Sequence, residues 1–343
     1  MTQPPHAPDP LSPAPRAAFL GHAERIHEVF GHEGLHRAAE LTDLRPGIID
    51  ADRWPDAADA RWIFSTWGMP TLTAGQLDQL PHLEAVFYAA GSVRYFAPPM
   101  LERGITIVSA RAANAVPVAE FALAQIILAS KNYFANIRAT PHHWIAGHPS
   151  RASLPVGQGV WDTPVALLGF GTIARLLAQH LRRFSFQILV VDPLVDPAIL
   201  QAHHAESVSL EEAFARAEVV SNHLPDLPST RGLITGQHFR ALPPNATFIN
   251  TGRGAQIVEP DLIDALRQRP DLTALLDVTH PEPPAADSPL RSLPNCHLSS
   301  HIAGSKGREV RRMAHLVLDD AQALREGRAP QHTVTTEMLE HIA

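Results

Sequence analysis

The chain has 343 residues, 45% of them hydrophobic and 18% charged, and its formal net charge is −7. That size exceeds what one hydrophobic core fills and implies about two domains, while the acidic balance excludes the basic footprint of a nucleic-acid binder. The single cysteine, Cys296, excludes an internal disulfide and any cysteine-cluster metal site, so no metal is expected and a reducing cytoplasm fits.

Residues 1–16, MTQPPHAPDPLSPAPR, are proline-rich and lack the basic start and continuous apolar run of a secretion signal, so they read as a disordered tail. From Ala17 short apolar runs alternate with amphipathic segments, the pattern of an α/β protein with parallel strands. The expected strands are AAFL (17–20), WIFS (62–65), EAVFYA (84–89) and ITIV (105–108), with helical segments such as AERIHEVF and AGQLDQL between them. The stretch VPVAEFALAQIILASKNYF then reads as one long helix, with apolar faces too wide for a single packing partner. Its apolar part, Val116 to Ala129, contains Glu120 and Gln125 and is shorter than the ~20 residues a bilayer requires. No membrane span is expected; the helix would join two domains and contribute to a dimer interface.

After a polar stretch from Thr140 to Gly159 the alternation restarts with six expected strands: PVALLG (164–169), QILVVD (187–192), EVVSNHL (218–224), ATFINT (246–251), TALLDV (273–278) and CHLSSH (296–301). Six strands with intervening helices are the count of a doubly wound dinucleotide-binding domain. The segment Arg308 to Arg325 is amphipathic and is expected to return as a helix to the first domain.

Gly169-Phe170-Gly171-Thr172-Ile173-Ala174 follows the first of these strands and opens a helix, the context a dinucleotide fingerprint requires. Gly169 permits the tight turn, Gly171 lets backbone approach a pyrophosphate, and the small Ala174 lets helix and strand pack closely. The helix start offers unpaired N–H groups to the phosphates. Asp192 ends the next strand, where a carboxylate accepts from ribose hydroxyls and repels a 2′-phosphate, so NAD is favoured over NADP. A bare strand, turn and helix would carry the same glycines, and it is the acid in register that argues for a ligand.

Three later strand ends carry Arg253 in GRGAQIVE, Glu282 in THPEPP and His301 before IAGS. In open α/β sheets ligands lie beyond the carboxyl ends of strands, so these can converge. Oxidation of a 2-hydroxy acid needs a base for the hydroxyl proton as hydride leaves C2, a carboxylate to orient that base, and a cation for the substrate carboxylate. The assignments are His301 as acid/base, Glu282 as its partner and Arg253 as anchor. Each alone has a plainer reading: one of 20 histidines at the surface, a solvated glutamate, a turn arginine.

At these residues the sequence resembles the D-isomer-specific 2-hydroxyacid dehydrogenases: FINTGRGAQIVE is similar to their arginine motif, LLDVTHPEPP to their aspartate–glutamate segment, LSSHIAG to their histidine motif, and ANAVPVAEFALAQIILASKN to their long helix. The resemblance implies a Rossmann-type doubly wound cofactor domain, residues 112–305, and a smaller flavodoxin-like α/β substrate domain from both chain ends, residues 17–111 and 306–343. It implies a cleft between them, a homodimer and a small 2-hydroxy or 2-keto acid as substrate, while the charge and the short apolar stretch argue against a nucleic-acid or membrane partner. In YAAGSVRYF it places the substrate-carboxylate amides on Gly91, Ser92 and Val93. It implies cofactor contacts from Gly169 to Ile173 and at Asp192, Thr251, Asp277 and His301, with Asp277 near the nicotinamide carboxamide. Glu282 argues against the formate dehydrogenase branch.

The sequence departs from the family where acidic and amide residues give way to Arg94 and Tyr95, and where Ser300 replaces the proline before the histidine. Arg94 could receive a second anionic group of the substrate, and Trp67 could cap the cleft; a surface arginine and a core tryptophan are the plain alternatives. The chain stops just past the segment resembling the family's closing helix, so the further regulatory domain of many phosphoglycerate dehydrogenases is expected to be absent. The competing reading is an NAD(H)-gated, corepressor-like binding protein on the same fold.

Overall fold

The structure, a computed structural model, describes residues 13–143 and 154–339. Most of the tail expected over 1–16 and part of the polar stretch 140–159 lie outside these residues. Arg16, expected in the tail, is instead the first residue of a strand. The chain forms two compact units, one reaching Asn114 and resuming at Ser305, the other running Ala115–Gly304.

The first unit holds five strands: β1 (Arg16–Leu20), β2 (Asp43–Ile49), β3 (Trp62–Ser65), β4 (Ala85–Tyr88) and β5 (Thr106–Ser109). They form a parallel sheet in the order β2-β1-β3-β4-β5, the flavodoxin-like order. The strand β2, DLRPGII, was not expected: it is an edge strand with a proline and a glycine and largely exposed side chains, so hydrophobic alternation does not mark it. In β1, Ala17 and Phe19 face one core cluster while Ala18 and Leu20 face another, the period-2 alternation of a strand buried on both sides. The helix Val310–Arg325 packs Met313, Val317, Leu318 and Ala321 against Phe19 and Phe30.

The second unit holds seven strands: β6 (Pro164–Leu168), β7 (Gln187–Val191), β8 (Ala205–Ser207), β9 (Val219–Asn222), β10 (Thr247–Asn250), β11 (Thr273–Leu276) and β12 (Cys296–Leu298). All pairings are parallel, in the order β12-β11-β10-β9-β6-β7-β8. This is the doubly wound order with its switch point beside β6, and one strand more than the sequence pattern indicates. The extra strand β8 is three residues long at the edge, with no buried side chain. In β6, Val165 and Leu167 enter one cluster and Ala166 and Leu168 the other, so both faces are covered by helices.

The long helix differs from expectation at both ends. It begins at Arg111, ends at Ser130, and gives way to a second helix, Tyr133–His143, across Asn132 at φ 53°. Arg111–Ser130 is long and apolar enough to cross a membrane by length and composition alone, a test that a core helix also passes. Ala119, Ala122 and Ile126 are nevertheless fully buried in the core of the second unit.

Candidate active site

The glycine loop joins β6 to the helix Thr172–Leu181. Gly169 sits at φ 81°, and a Cβ there would stand 3.0 Å from the His223 carbonyl oxygen, so the turn admits glycine alone. At Gly171, which caps the helix, a Cβ would meet nothing within 4 Å. The open backbone, the helix start behind it and the exposed Thr172 make a cradle that fits a pyrophosphate. Phe170 is buried, and its N–H donates to Asp192 Oδ2 at 2.8 Å. Asp192 Oδ1 accepts the N–H of Leu194 at 2.9 Å. The acid is thus fixed by both flanking loops, with one lone pair per oxygen left for a ribose hydroxyl.

The strand ends at β9 and β10 hold Arg253. Asn222 and Asn250, opposite each other in register, are fully buried. Asn222 Nδ2 donates to Asn250 Oδ1 at 2.9 Å and to Gln256 Oε1 at 2.6 Å, and Gln256 Oε1 also accepts the Arg253 N–H at 3.1 Å. Asn250 Nδ2 donates to the Arg253 carbonyl at 3.1 Å. The loop is therefore fixed by buried amides on both sides of a half-buried arginine. Gly254 is required by close approach, because a Cβ there would lie 2.0 Å from the Thr279 carbonyl carbon. The guanidinium itself donates to the Gly252 carbonyl at 2.8 Å. Thr251 Oγ1 stands 3.4 Å from His223 Nδ1, and His223 Nε2 stands 2.9 Å from Ser221 Oγ; burial lowers the His223 pKa to about 4 and keeps it neutral.

Glu282 and His301 meet. Glu282 Oε1 lies 2.7 Å from His301 Nδ1, which leaves Nε2 for another partner. His301 adopts φ 56°, a conformation held by its own N–H donating to the Asp277 carbonyl at 3.0 Å. The buried Asp277 carboxylate accepts from Ser299 Oγ at 2.6 Å and from the N–H groups of Ile302 and Ala303, both at 2.9 Å. Asp277 thus builds the turn on which His301 stands, a role the sequence reading missed. A cavity of about 440 Å³ is lined by Asp277, Thr279, Glu282, Leu298, Ser300 and His301 among others. Arg253 does not line it, although its loop abuts Thr279 through Gly254.

Gly91, Ser92 and Val93 belong to the first unit, after β4. Ser109 Oγ donates to the Gly91 carbonyl at 2.7 Å, turning the loop so that the three N–H groups find no acceptor among the described residues. Arg94 NH1 donates to the Leu339 carbonyl at 3.0 Å, and the Tyr95 and Tyr88 hydroxyls are 3.0 Å apart. Trp67 is half-buried and packs against both core clusters of its unit.

Residues 123–303 match the family model "D-isomer specific 2-hydroxyacid dehydrogenase, NAD binding domain". Over 204 residues the chain is 33% identical to a D-3-phosphoglycerate dehydrogenase of Mycobacterium tuberculosis, covering 59% of this chain and 37% of that one. The match therefore spans little more than a third of that relative. An (S)-sulfolactate dehydrogenase of Chromohalobacter salexigens is 32% identical over 224 residues, 64% of this chain and 70% of that one. Among solved structures, the D-mandelate dehydrogenase of Rhodotorula graminis shares the fold, with a TM-score of 0.78 at 22% identity over 94% of this chain and 98% of that one. The glycine cradle, the acid at Asp192 and the family match agree: the chain belongs to the D-isomer specific 2-hydroxyacid dehydrogenases, and its second unit carries their NAD-binding domain.

Proposed function

We propose that the protein is an NAD-dependent oxidoreductase interconverting a small 2-keto acid and the corresponding D-2-hydroxy acid. The observation that carries this reading is the His301–Glu282 pair at 2.7 Å, on a turn fixed by Asp277. NAD, when bound, supplies or accepts the hydride at C2 of the substrate. In the direction of reduction the C=O bond becomes C–H and O–H: C2 takes the hydride and the oxygen takes a proton from His301 Nε2. Glu282 holds the ring by Nδ1 and so leaves Nε2 for that transfer. Arg253 receives the substrate carboxylate and polarises the carbonyl, and the N–H groups of Gly91, Ser92 and Val93 donate to the same carboxylate. Gly169 to Ile173 would hold the pyrophosphate, Asp192 the ribose, and Thr251 and Asp277 the nicotinamide end. The same reading makes the protein a cytoplasmic homodimer, without nucleic-acid or membrane partners.

The test is NADH consumption by purified protein over glyoxylate, hydroxypyruvate, pyruvate, a branched and an aromatic keto acid and phosphohydroxypyruvate, with His301→Ala alongside. Turnover on at least one acid, falling by roughly 100-fold or more in the variant, is the expected result. Turnover that survives in His301→Ala would remove the acid/base assignment, and none on any acid with NADH still bound would overturn the dehydrogenase reading.

A further inference from the structure

Ser109 ends β5 and ties two segments of the first unit together. Its Oγ donates to the Gly91 carbonyl at 2.7 Å and accepts the N–H of Arg111 at 3.3 Å. Asn114, one helical turn further on, brings its Nδ2 to 3.5 Å from where a Cβ on Gly91 would stand. Arg111 therefore leaves the backbone close to Gly91, where the loop with the open N–H groups begins.

The Arg111 side chain is half-buried, and among the described residues no hydrogen bond, ion pair or ring contact engages it. The other half-buried arginines among the described residues have partners, among them Arg16 with Asp59, Arg37 with Asp319, Arg61 with Glu84, Arg175 with the Phe170 carbonyl and Arg269 with Asp271. Burial without a counter-charge lowers the Arg111 pKa from its ordinary value, and desolvation is the sole cause. A guanidinium stays charged even so, and a cation drawn partly out of water without an anion raises the energy of the free protein. An oxyanion brought to it relieves that cost, and the planar fork of donors matches carboxylate, sulfonate or phosphate.

We propose that Arg111 binds a second anionic group, at the far end of the substrate side chain, and that the protein therefore prefers 2-keto acids ending in a carboxylate, sulfonate or phosphate. The inference rests on the keto-acid reading above. The Gly91–Val93 amides take the group next to the carbonyl, and Arg111 takes the distal one.

Oxaloacetate and 2-oxobutyrate differ chiefly in a terminal carboxylate and form the probe pair. The readout is the ratio of kcat/KM for the two with NADH, in the wild type, in Arg111→Gln and in Arg111→Lys. The ratio is expected to favour oxaloacetate in the wild type, to fall by roughly 10- to 100-fold in Arg111→Gln, and to be largely restored in Arg111→Lys. A ratio that does not change in Arg111→Gln overturns the proposal. The same pair is titrated calorimetrically into protein loaded with NAD in its oxidised form, which has no hydride to give. A dianion preference that Arg111→Gln abolishes supports the site even if no acid is turned over, and equal binding of both acids by the wild type overturns it. Failure of turnover and failure of the anion site are thereby read separately.

Discussion

The Asp277 carboxylate accepts from Ser299, Ile302 and Ala303, and its carbonyl accepts from His301, so a side chain outside the line of proton transfer governs where His301 stands. Three donors aimed at one buried carboxylate make a charge-assisted cluster whose disruption leaves N–H groups unpaired. Asp277→Asn keeps the size but turns one acceptor oxygen into a donor facing a donor. The expected cost is about 2–4 kcal/mol in urea unfolding. Catalytically, kcat is expected to fall by roughly 100-fold, because a displacement of His301 by an ångström is enough for that loss. The keto-acid KM should move far less than kcat, since Arg253 is fixed by a separate network of Asn222, Asn250 and Gln256. A variant with wild-type kcat would show that the turn holds its shape without the carboxylate. Arg253, Glu282 and His301 were legible because arginine, glutamate and histidine each follow a strand. Asp277 and the amide network were not, because a buried acid or amide declares its purpose only through its partners. Two strands ending in asparagine, VVSN and TFIN, were the available signal.

The glycines of the strand-end loops separate structural need from ligand need. Gly254 and Gly171 look alike in the sequence, yet a methyl group at the first would strike the Thr279 backbone, while at the second it would enter open space. Gly254→Ala is therefore expected to shift the Arg253 loop, lowering the melting temperature and abolishing turnover. Gly171→Ala is expected to leave the melting temperature of the ligand-free protein close to the wild type and to weaken NADH binding, by about 10-fold in a fluorescence titration, because the methyl occupies the pyrophosphate cradle. Equal effects on NADH affinity and stability in the two variants would refute this division. The same contrast explains which elements the sequence marked. Strands buried on both faces, such as AAFL in β1 and VALL in β6, stood out as apolar runs. The edge strands β2 and β8 did not, since exposed side chains carry no hydrophobic period. The break at Asn132 inside an otherwise continuous apolar pattern was hidden for the same reason: a single residue at positive φ changes direction without changing hydropathy.

Stability of the folded chain should be sensitive to mild acid. His223, His238 and His297 all have pKa values lowered by burial, His223 to about 4. Between about pH 6.5 and pH 4 the unfolded chain binds protons that the folded chain refuses, so stability falls as pH falls through that window. His223 alone accounts for up to about 3 kcal/mol at the acid end, and His223→Gln is expected to flatten the decline of melting temperature with acidity; an unchanged slope would count against it. The surface of the second unit makes a different demand. Leu128, Tyr133 and Ile137 are exposed along the two consecutive helices, and the Gly157 N–H donates to the Lys131 carbonyl, bringing the 74% exposed Val156 alongside them. Trp161, 81% exposed, is tied to the Phe184 region by the Asp162 N–H donating to the Ser185 carbonyl. Large apolar side chains left exposed mark sites of association, and a self-complementary surface is how two identical chains bury one another. The protein is therefore expected to run as a dimer in light scattering at micromolar concentration. The double variant Ile137→Glu, Trp161→Glu, which brings four unpaired charges into the paired patch, should run as a monomer with its circular dichroism unchanged. A wild type that is monomeric on dilution from millimolar to micromolar concentration, or a charged variant that stays dimeric, would place the contact elsewhere.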